Sequence, residues 1–327
     1  MIKISELKVG DNGTTALVVA NAIARKTRRG SDYLFMEFFD GTDKINANYW
    51  DWAGKSIPER NSILDVDYQV TEYNGAKQLT VKALRKNTTL GMEEFMPKSE
   101  YDLEEVYQEA LELTYCVDDS FLHNLGVYAL ENYKSLWISA PGAKTMHHAF
   151  VGGTLVHSLN VAKIARAIAT TLPIANLDIV TIGGLLHDIG KLKTYRLDGV
   201  LIDMSDDGRL LDHLYLGTNM VEQIAHESGL LQKFPTDKRD GFTDEEFKLQ
   251  QILHIIASHH GKQEYGAIVA PASLEAHIVY HADTIDANAQ MIYESAKKKP
   301  AAQWTERIWA LSNMPHINPF YLQDVME

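Results

Sequence analysis

Gly184-Leu185-Leu186-His187-Asp188-Ile189-Gly190-Lys191 is the stretch on which the reading turns. The apolar residues of Leu177–Asp188 recur at helical spacing. An adjacent imidazole and carboxylate end the segment, and Gly190 is read as the residue that stops it. Inside a helix, side chains at i and i+1 diverge by roughly 100°; at a helix end both can enter one cavity.

Similar segments flank this one. His157 lies in Thr154–Thr170, whose apolar face is Leu155, Val161, Ile164 and Ala165. His213 follows Asp212 at the start of His213–Glu227. His259-His260-Gly261 closes Asp244–His259, and Asp283 lies within Ser273–Ala296. Imidazoles grouped with carboxylates suit Mn, Fe, Co or Zn better than the oxygen-seeking Ca and Mg. Any one of these histidines alone reads more simply as a surface or satisfied core residue. His123, His226, His254 and His316 are left in that class. His277 and His281, at i and i+4, lack the glutamate of a helical zinc motif. His147 and His148, ahead of a glycine-rich turn, read as structural or substrate-facing. Lys191 reads equally as a charge for a substrate phosphate or as a helix-terminal cation.

Residues 1–88 have a different period. Thr15–Ala24, Asp32–Asp40, Ile45–Trp50, Ile63–Tyr73 and Gln78–Leu84 read as five strands, which suggests a small all-β barrel. Arg25-Lys26-Thr27-Arg28-Arg29-Gly30 is a basic turn between the first two. Tyr33 and Phe35 share one strand face with Glu37, and Leu34, Met36 and Phe38 share the other. Cations that track phosphates beside rings that stack on bases suit a single strand of nucleic acid, so Arg25, Lys26, Arg28, Arg29, Tyr33 and Phe35 form a candidate surface. The simpler alternative is a solvated hairpin over core aromatics. Residues 89–100, with Gly91 and Pro97, read as a linker. Residues 101–327 read as an all-α domain, with a β-hairpin inserted near Tyr195–Asp206.

Composition bounds the class. The 327 residues carry a net charge of −13, but 13 Lys+Arg face 11 Asp+Glu through residue 90, against 18 and 33 beyond it. A cationic patch is therefore compatible with the front of the chain only. The single cysteine, Cys116, forms no internal disulfide, no apolar run reaches the roughly 18 residues of a membrane span, and Met1–Glu6 lacks a signal-peptide core. A cytoplasmic protein without a membrane partner is expected. Trp304, Trp309, Phe320 and Tyr321 are expected to pack on the chain's own helices or on a second subunit of a homo-oligomer.

The ordered set His157, His187-Asp188 and Asp283, with Gly190-Lys191 after the pair, resembles the HD-domain superfamily of metal-dependent phosphohydrolases. The resemblance implies that His157, His187, Asp188 and Asp283 hold a first divalent transition-metal ion. It further implies that His213, His259 and His260 hold a second, with Asp188 bridging. Mn or Fe is expected ahead of Co or Zn. Asp188 and Lys191 would carry the catalysis. Ile4–Gly10, Asp40-Gly41-Thr42, Tyr49-Trp50-Asp51 and Tyr73–Leu79 resemble an OB-fold. With His147-His148-Ala149-Phe150 and Gly152-Gly153, the whole chain resembles the YhaM-type 3′-to-5′ exoribonucleases. That implies removal of nucleoside 5′-monophosphates from the 3′ end of single-stranded RNA, with single-stranded DNA a further substrate. The alternatives are a phosphohydrolase of nucleotides or cyclic dinucleotides, and a non-catalytic single-strand binder.

Overall fold

The computed structural model describes residues 2–52, 54–144, 148–231 and 241–321. The chain divides into two compact units, residues 1–98 with 197–201, and residues 99–196 with 202–327.

The first unit is a closed barrel of five strands: β1 (Asn12–Lys26), β2 (Asp32–Phe39), β3 (Lys44–Tyr49), β4 (Ile63–Tyr73) and β5 (Ala76–Lys86). Their order around the barrel is β1-β2-β3-β5-β4, and β4 pairs back onto β1. All pairings are antiparallel except β3 with β5. This is an OB-fold. Strand alternation builds its core: Leu34, Met36 and Phe38 of β2, Ile45 and Ala47 of β3, and Leu64, Val66, Tyr68 and Val70 of β4 all point inward. Tyr33 and Phe35 fall on the other face and are half-buried.

The stretch expected as a linker packs against the barrel's outside. Phe95, in a short 3-10 turn over Met92–Phe95, is fully buried with Ala16, Val18 and Phe39. Gly41 lies under it at φ 97°, where an added Cβ would meet the Phe95 backbone at 3.3 Å. Few side chains fit such an approach at a left-handed φ. Val200 and Leu201 join the same apolar cluster, and the Arg60 guanidinium donates to Asp198 at 2.7 Å.

The second unit is helical. It comprises α1 (Leu103–Tyr115), α2 (Ser120–Asn132), α3 (Lys134–Ser139), α4 (Gly153–Thr170), α5 (Leu177–Leu186), α6 (Lys191–Thr194), α7 (Asp206–Glu227), α8 (Asp244–Ser258) and α9 (Leu274–Lys297). A hairpin of β6 (Tyr195–Asp198) and β7 (Leu201–Met204) separates α6 from α7. Side-chain caps start most of the long helices: Asp102, Asp119, Asn176, Ser205, Thr243 and Ser273 each accept from a backbone N–H of the first turn. Leu122, Leu125, Leu155, Leu185, Ile189 and Ile252 belong to one buried core shared by α2, α4, α5 and α8. That core fixes the spacing of the helices bearing the histidines. No helix among the described residues is long and apolar enough to cross a membrane. Near the C-terminus Phe320 packs on Tyr293 of α9, whereas Trp304 and Trp309 are exposed.

Two sequence expectations need correction. Gly190 is not a left-handed helix stop, since its φ is −61° and it caps the N-terminus of α6. Its lack of a side chain serves close packing: a Cβ there would fall 1.9 Å from the His213 carbonyl oxygen and 2.6 Å from the Gly217 nitrogen. And α7 begins at Asp206, seven residues before His213, with a break at Asp212 inside it.

Candidate metal centre

Five helical elements bring the predicted residues to one place in the second unit. His157 comes from the first half of α4. His187 and Asp188 come from the tight turn after α5, where bonds of the i+3 type (Ile189 N–H to Leu186 O, Lys191 N–H to Asp188 O) replace the α-helical ladder. His213 follows the break in α7, His259 and His260 follow α8, and Asp283 lies on α9. His157, His187, Asp188 and His259 are each at most 1% exposed.

Asp188 is the centre of the arrangement. Its Oδ2 lies 3.3 Å from His157 Nε2 and 3.4 Å from His187 Nε2, while its Oδ1 lies 3.6 Å from both His213 Nε2 and His259 Nε2. Each oxygen thus faces its own pair of imidazoles. Asp283 Oδ1 completes the first side, 3.1 Å from His157 Nε2. His260 joins the second, its ring 4.5 Å from that of His259 and 5.1 Å from that of His213.

The far nitrogens explain why the Nε2 atoms converge. The Nδ1 atoms of His187, His259 and His260 face the backbone carbonyls of Gly184 (2.7 Å), Ile256 (2.9 Å) and Tyr265 (3.1 Å). His157 Nδ1 faces Asp286 at 2.7 Å, and His213 Nδ1 faces Asp212. An acceptor at Nδ1 places the ring proton there and turns the Nε2 lone pair inward, the state a metal ligand needs.

The residues fit a pair of divalent ions. Asp188 Oδ1 and His213 Nε2 are buried without a hydrogen-bond partner, at a cost that a cation between them would remove. His157 Nε2 and His187 Nε2 stand 3.2 Å apart. Two nitrogens each about 2.1 Å from a shared ion are separated by about that much. Two triads, His157-His187-Asp283 and His213-His259-His260, each offer ligand atoms within 4.8 Å of one another. His277 and His281 are exposed on α9 and join no such group among the described residues. His254 instead accepts from the Ala272 N–H at 2.8 Å.

Electrostatics keep the acids ionised. Burial pushes the Asp188 carboxyl up, but Lys191 and the imidazoles outweigh it and hold it well below the usual range. Asp283 is likewise lowered, against burial, by His157 and its neighbours. Burial chiefly, helped by the neighbouring His187 for His259 and by His259 and Lys191 for His260, lowers both rings and favours their neutral form. Lys191 is buried at the first residue of the four-residue α6, and its ammonium lies 2.6 Å from Asp188 Oδ2. His147 lies outside the described residues. His148 is buried and meets Asp286, a residue the sequence reading passed over although Asp283 and Asp286 stand at i and i+3 on one face of α9.

The barrel carries the second predicted group. Arg28 and Arg29 are exposed in the turn between β1 and β2, which Thr27 and Ser31 close. The Arg25 guanidinium lies 4.0 Å from the Phe35 ring centroid, and Tyr33 stacks on the exposed Trp50 at 4.6 Å. Lys26 faces Asp32 at 4.0 Å. Arg25 of β1 therefore shares one face with Tyr33 and Phe35 of β2.

Residues 154–288 match the HD-domain family model. The helical unit carries an HD domain. Two curated proteins named 3′-5′ exoribonuclease YhaM resemble the chain almost from end to end. That of Geobacillus sp. (strain WCH70) is 26% identical over 330 residues, spanning 99% of this chain and 97% of its own. That of Listeria monocytogenes serovar 1/2a is 26% identical over 327 residues, spanning 98% and 99%. Among solved structures, a crystal structure of a domain of replication protein A from Methanococcus maripaludis aligns at 21% identity and a TM-score of 0.24, covering 26% of this chain and 92% of that one. The solution structure of that protein's second OB-fold domain aligns at 19% and 0.23, covering 28% and 97%. Within the HD domain, the match runs from α4 to α9 and so includes every helix bearing a candidate ligand.

Proposed function

We propose that the protein is a metal-dependent 3′-to-5′ exonuclease that removes nucleoside 5′-monophosphates from single-stranded RNA, and acts on single-stranded DNA as well. The convergence of four imidazole Nε2 atoms on Asp188, with the Asp283 carboxylate beside His157, supports hydrolysis of a phosphoryl centre. The end-to-end likeness to proteins named exoribonucleases supports RNA as the polymer.

His157, His187, Asp188 and Asp283 would hold one ion, and His213, His259 and His260 another, with one Asp188 oxygen for each. Mn or Fe suits this mixture of nitrogen and carboxylate donors, with Co or Zn next. The chemistry that a bound pair supplies is Lewis-acid polarisation of phosphoryl oxygens and activation of water at neutral pH. The protein's own groups do the rest. Backbone carbonyls and carboxylates at Nδ1 hold the imidazoles in the ligating tautomer. The Lys191 ammonium holds Asp188 ionised and in place, and is a point charge available to a substrate phosphate. Burial of the donors excludes bulk water. On the barrel, Arg25, Lys26, Arg28 and Arg29 would follow the phosphates, while Phe35 and the Tyr33–Trp50 stack offer rings to bases.

The test is incubation with 5′-labelled single-stranded RNA and DNA, with and without Mn²⁺, beside Asp188→Ala. A ladder shortening from the 3′ end, dependent on metal and lost in the variant, is expected. Intact oligonucleotides with metal-dependent phosphate release from nucleotides would move the function to small molecules. Binding without turnover would leave a single-strand binder.

A further inference from the structure

We infer that Asp286, held by His148 and Asn160, is a positioning residue that sets the tautomer and aim of His157. The inference rests on the metal-centre reading above.

The three partners of Asp286 divide its carboxylate between them. Oδ2 accepts from His157 Nδ1 at 2.7 Å and from His148 Nε2 at 2.8 Å, and Oδ1 accepts from Asn160 Nδ2 at 2.9 Å. Asp286 is 7% exposed, and His148 and His157 1% each. None of this is needed to fill space, since an apolar trio of similar volume would bury at less desolvation cost. What the polar trio does that an apolar one cannot is keep the His157 proton on Nδ1, away from Asp188 and Asp283. Asn160 lies one helical turn beyond His157 on α4, so the clamp fixes both the ring and the helix that carries it.

The chain also accepts backbone strain to bring His148 there. His148 sits at φ 57°, in the left-handed region that a non-glycine residue rarely adopts. Its carbonyl accepts from the Gly142 and Phe150 N–H groups at 2.9 Å each. A Cβ at Gly153 would fall 2.0 Å from that carbonyl oxygen, and one at Gly142 would fall 2.8 Å from the His148 Cβ. Gly142 and Gly153 therefore pack against the backbone and Cβ of His148 and hold it in that conformation.

The measurement is Mn²⁺ affinity of the full chain by calorimetry, with ion content checked by elemental analysis. RNA turnover is not read. Asp286→Ala leaves His157 Nδ1 without its acceptor, so that neither the proton nor the aim of the ring is held. It is expected to weaken binding by about 10–100-fold, with the ion at His213-His259-His260 retained. His148→Ala should lose about tenfold, and His148→Gln, whose amide can still donate to Asp286, should recover most of that. Wild-type affinity in Asp286→Ala would overturn the inference. If that variant does not fold, equal affinities for His148→Ala, His148→Gln and wild type overturn it instead. A wild-type chain that binds no Mn²⁺ removes the metal-centre reading itself, a separate failure. RNA left intact by a metal-loaded protein would touch only the proposed nuclease activity.

Discussion

Asp212 has φ 64° and ψ 159° within α7, a combination essentially confined to glycine that costs on the order of 1–3 kcal/mol elsewhere. Its carboxylate pairs with His213 Nδ1, and chiefly that bond lowers its pKa to about 2. The same break carries the His213 carbonyl over Gly190, so the strained residue joins the second histidine triad to the His187-Asp188 turn. Asp212→Gly relieves the strain and removes the Nδ1 acceptor together. The expected metal-free variant is no less stable than wild type in urea, yet binds Mn²⁺ about tenfold more weakly. Asp212→Asn keeps both strain and acceptor and should stay near wild type on both counts. A glycine variant clearly less stable without metal would show that the conformation is not strained.

At the scale of elements, the junction of β7 with α7 depends on one acid. Asp203 Oδ1 accepts from Lys144 at 2.9 Å, from Arg209 at 3.0 Å and from the Met204 N–H at 2.9 Å. Burial raises its pKa, but Lys144, the Met204 N–H and Arg209 outweigh that and bring it to about 2 from 3.8. A carboxyl lowered in the folded state contributes stability above its unfolded pKa. The contribution is lost as pH falls from about 4 through about 2. Asp203→Asn should therefore cost on the order of 1 kcal/mol at pH 7 and progressively less below pH 4, measured by urea denaturation at each pH. An equal cost at pH 7 and pH 2.5 would contradict the assignment. The hairpin itself was legible from Leu197-Asp198-Gly199-Val200, and the strands of the barrel from their alternation. The start of α7 was not, because its signal is Ser205 capping Gly208 N–H, and the polar Asp206-Asp207-Gly208-Arg209 has no apolar period to read. The turn after α5 brings His187 and Asp188 side by side as expected, but the part read for Gly190 was wrong: glycine marks both left-handed stops and close approaches, and only the position of α7 distinguishes them.

Over the whole molecule, the clustered histidines and aspartates of the candidate site were legible because their order along the chain is unusual, whereas the groups that aim them were not. Three Nδ1 acceptors are backbone carbonyls, at Gly184, Ile256 and Tyr265, which leave no mark in a sequence. Asp286 left one, its spacing from Asp283, but needed His148 beside it to acquire meaning. The charge division is the other whole-chain feature, with 13 Lys+Arg against 11 Asp+Glu through residue 90 and 18 against 33 beyond. An acidic surface repels a polyanion and a basic turn attracts one, so under the proposed function binding and hydrolysis should separate by mutation. Arg28→Ala with Arg29→Ala removes two exposed cations that are not part of the barrel core. Each phosphate contact on a single strand contributes about 0.7 to the slope of log affinity against log salt. The double variant should therefore flatten that slope by about 1.4 on a uridine homopolymer and weaken binding most at low salt. Its Mn²⁺-dependent hydrolysis of a small phosphodiester such as bis-(p-nitrophenyl) phosphate should equal wild type. An unchanged salt slope would remove the turn from the binding face, and equal loss on both substrates would mean that the arginines serve the fold rather than the strand.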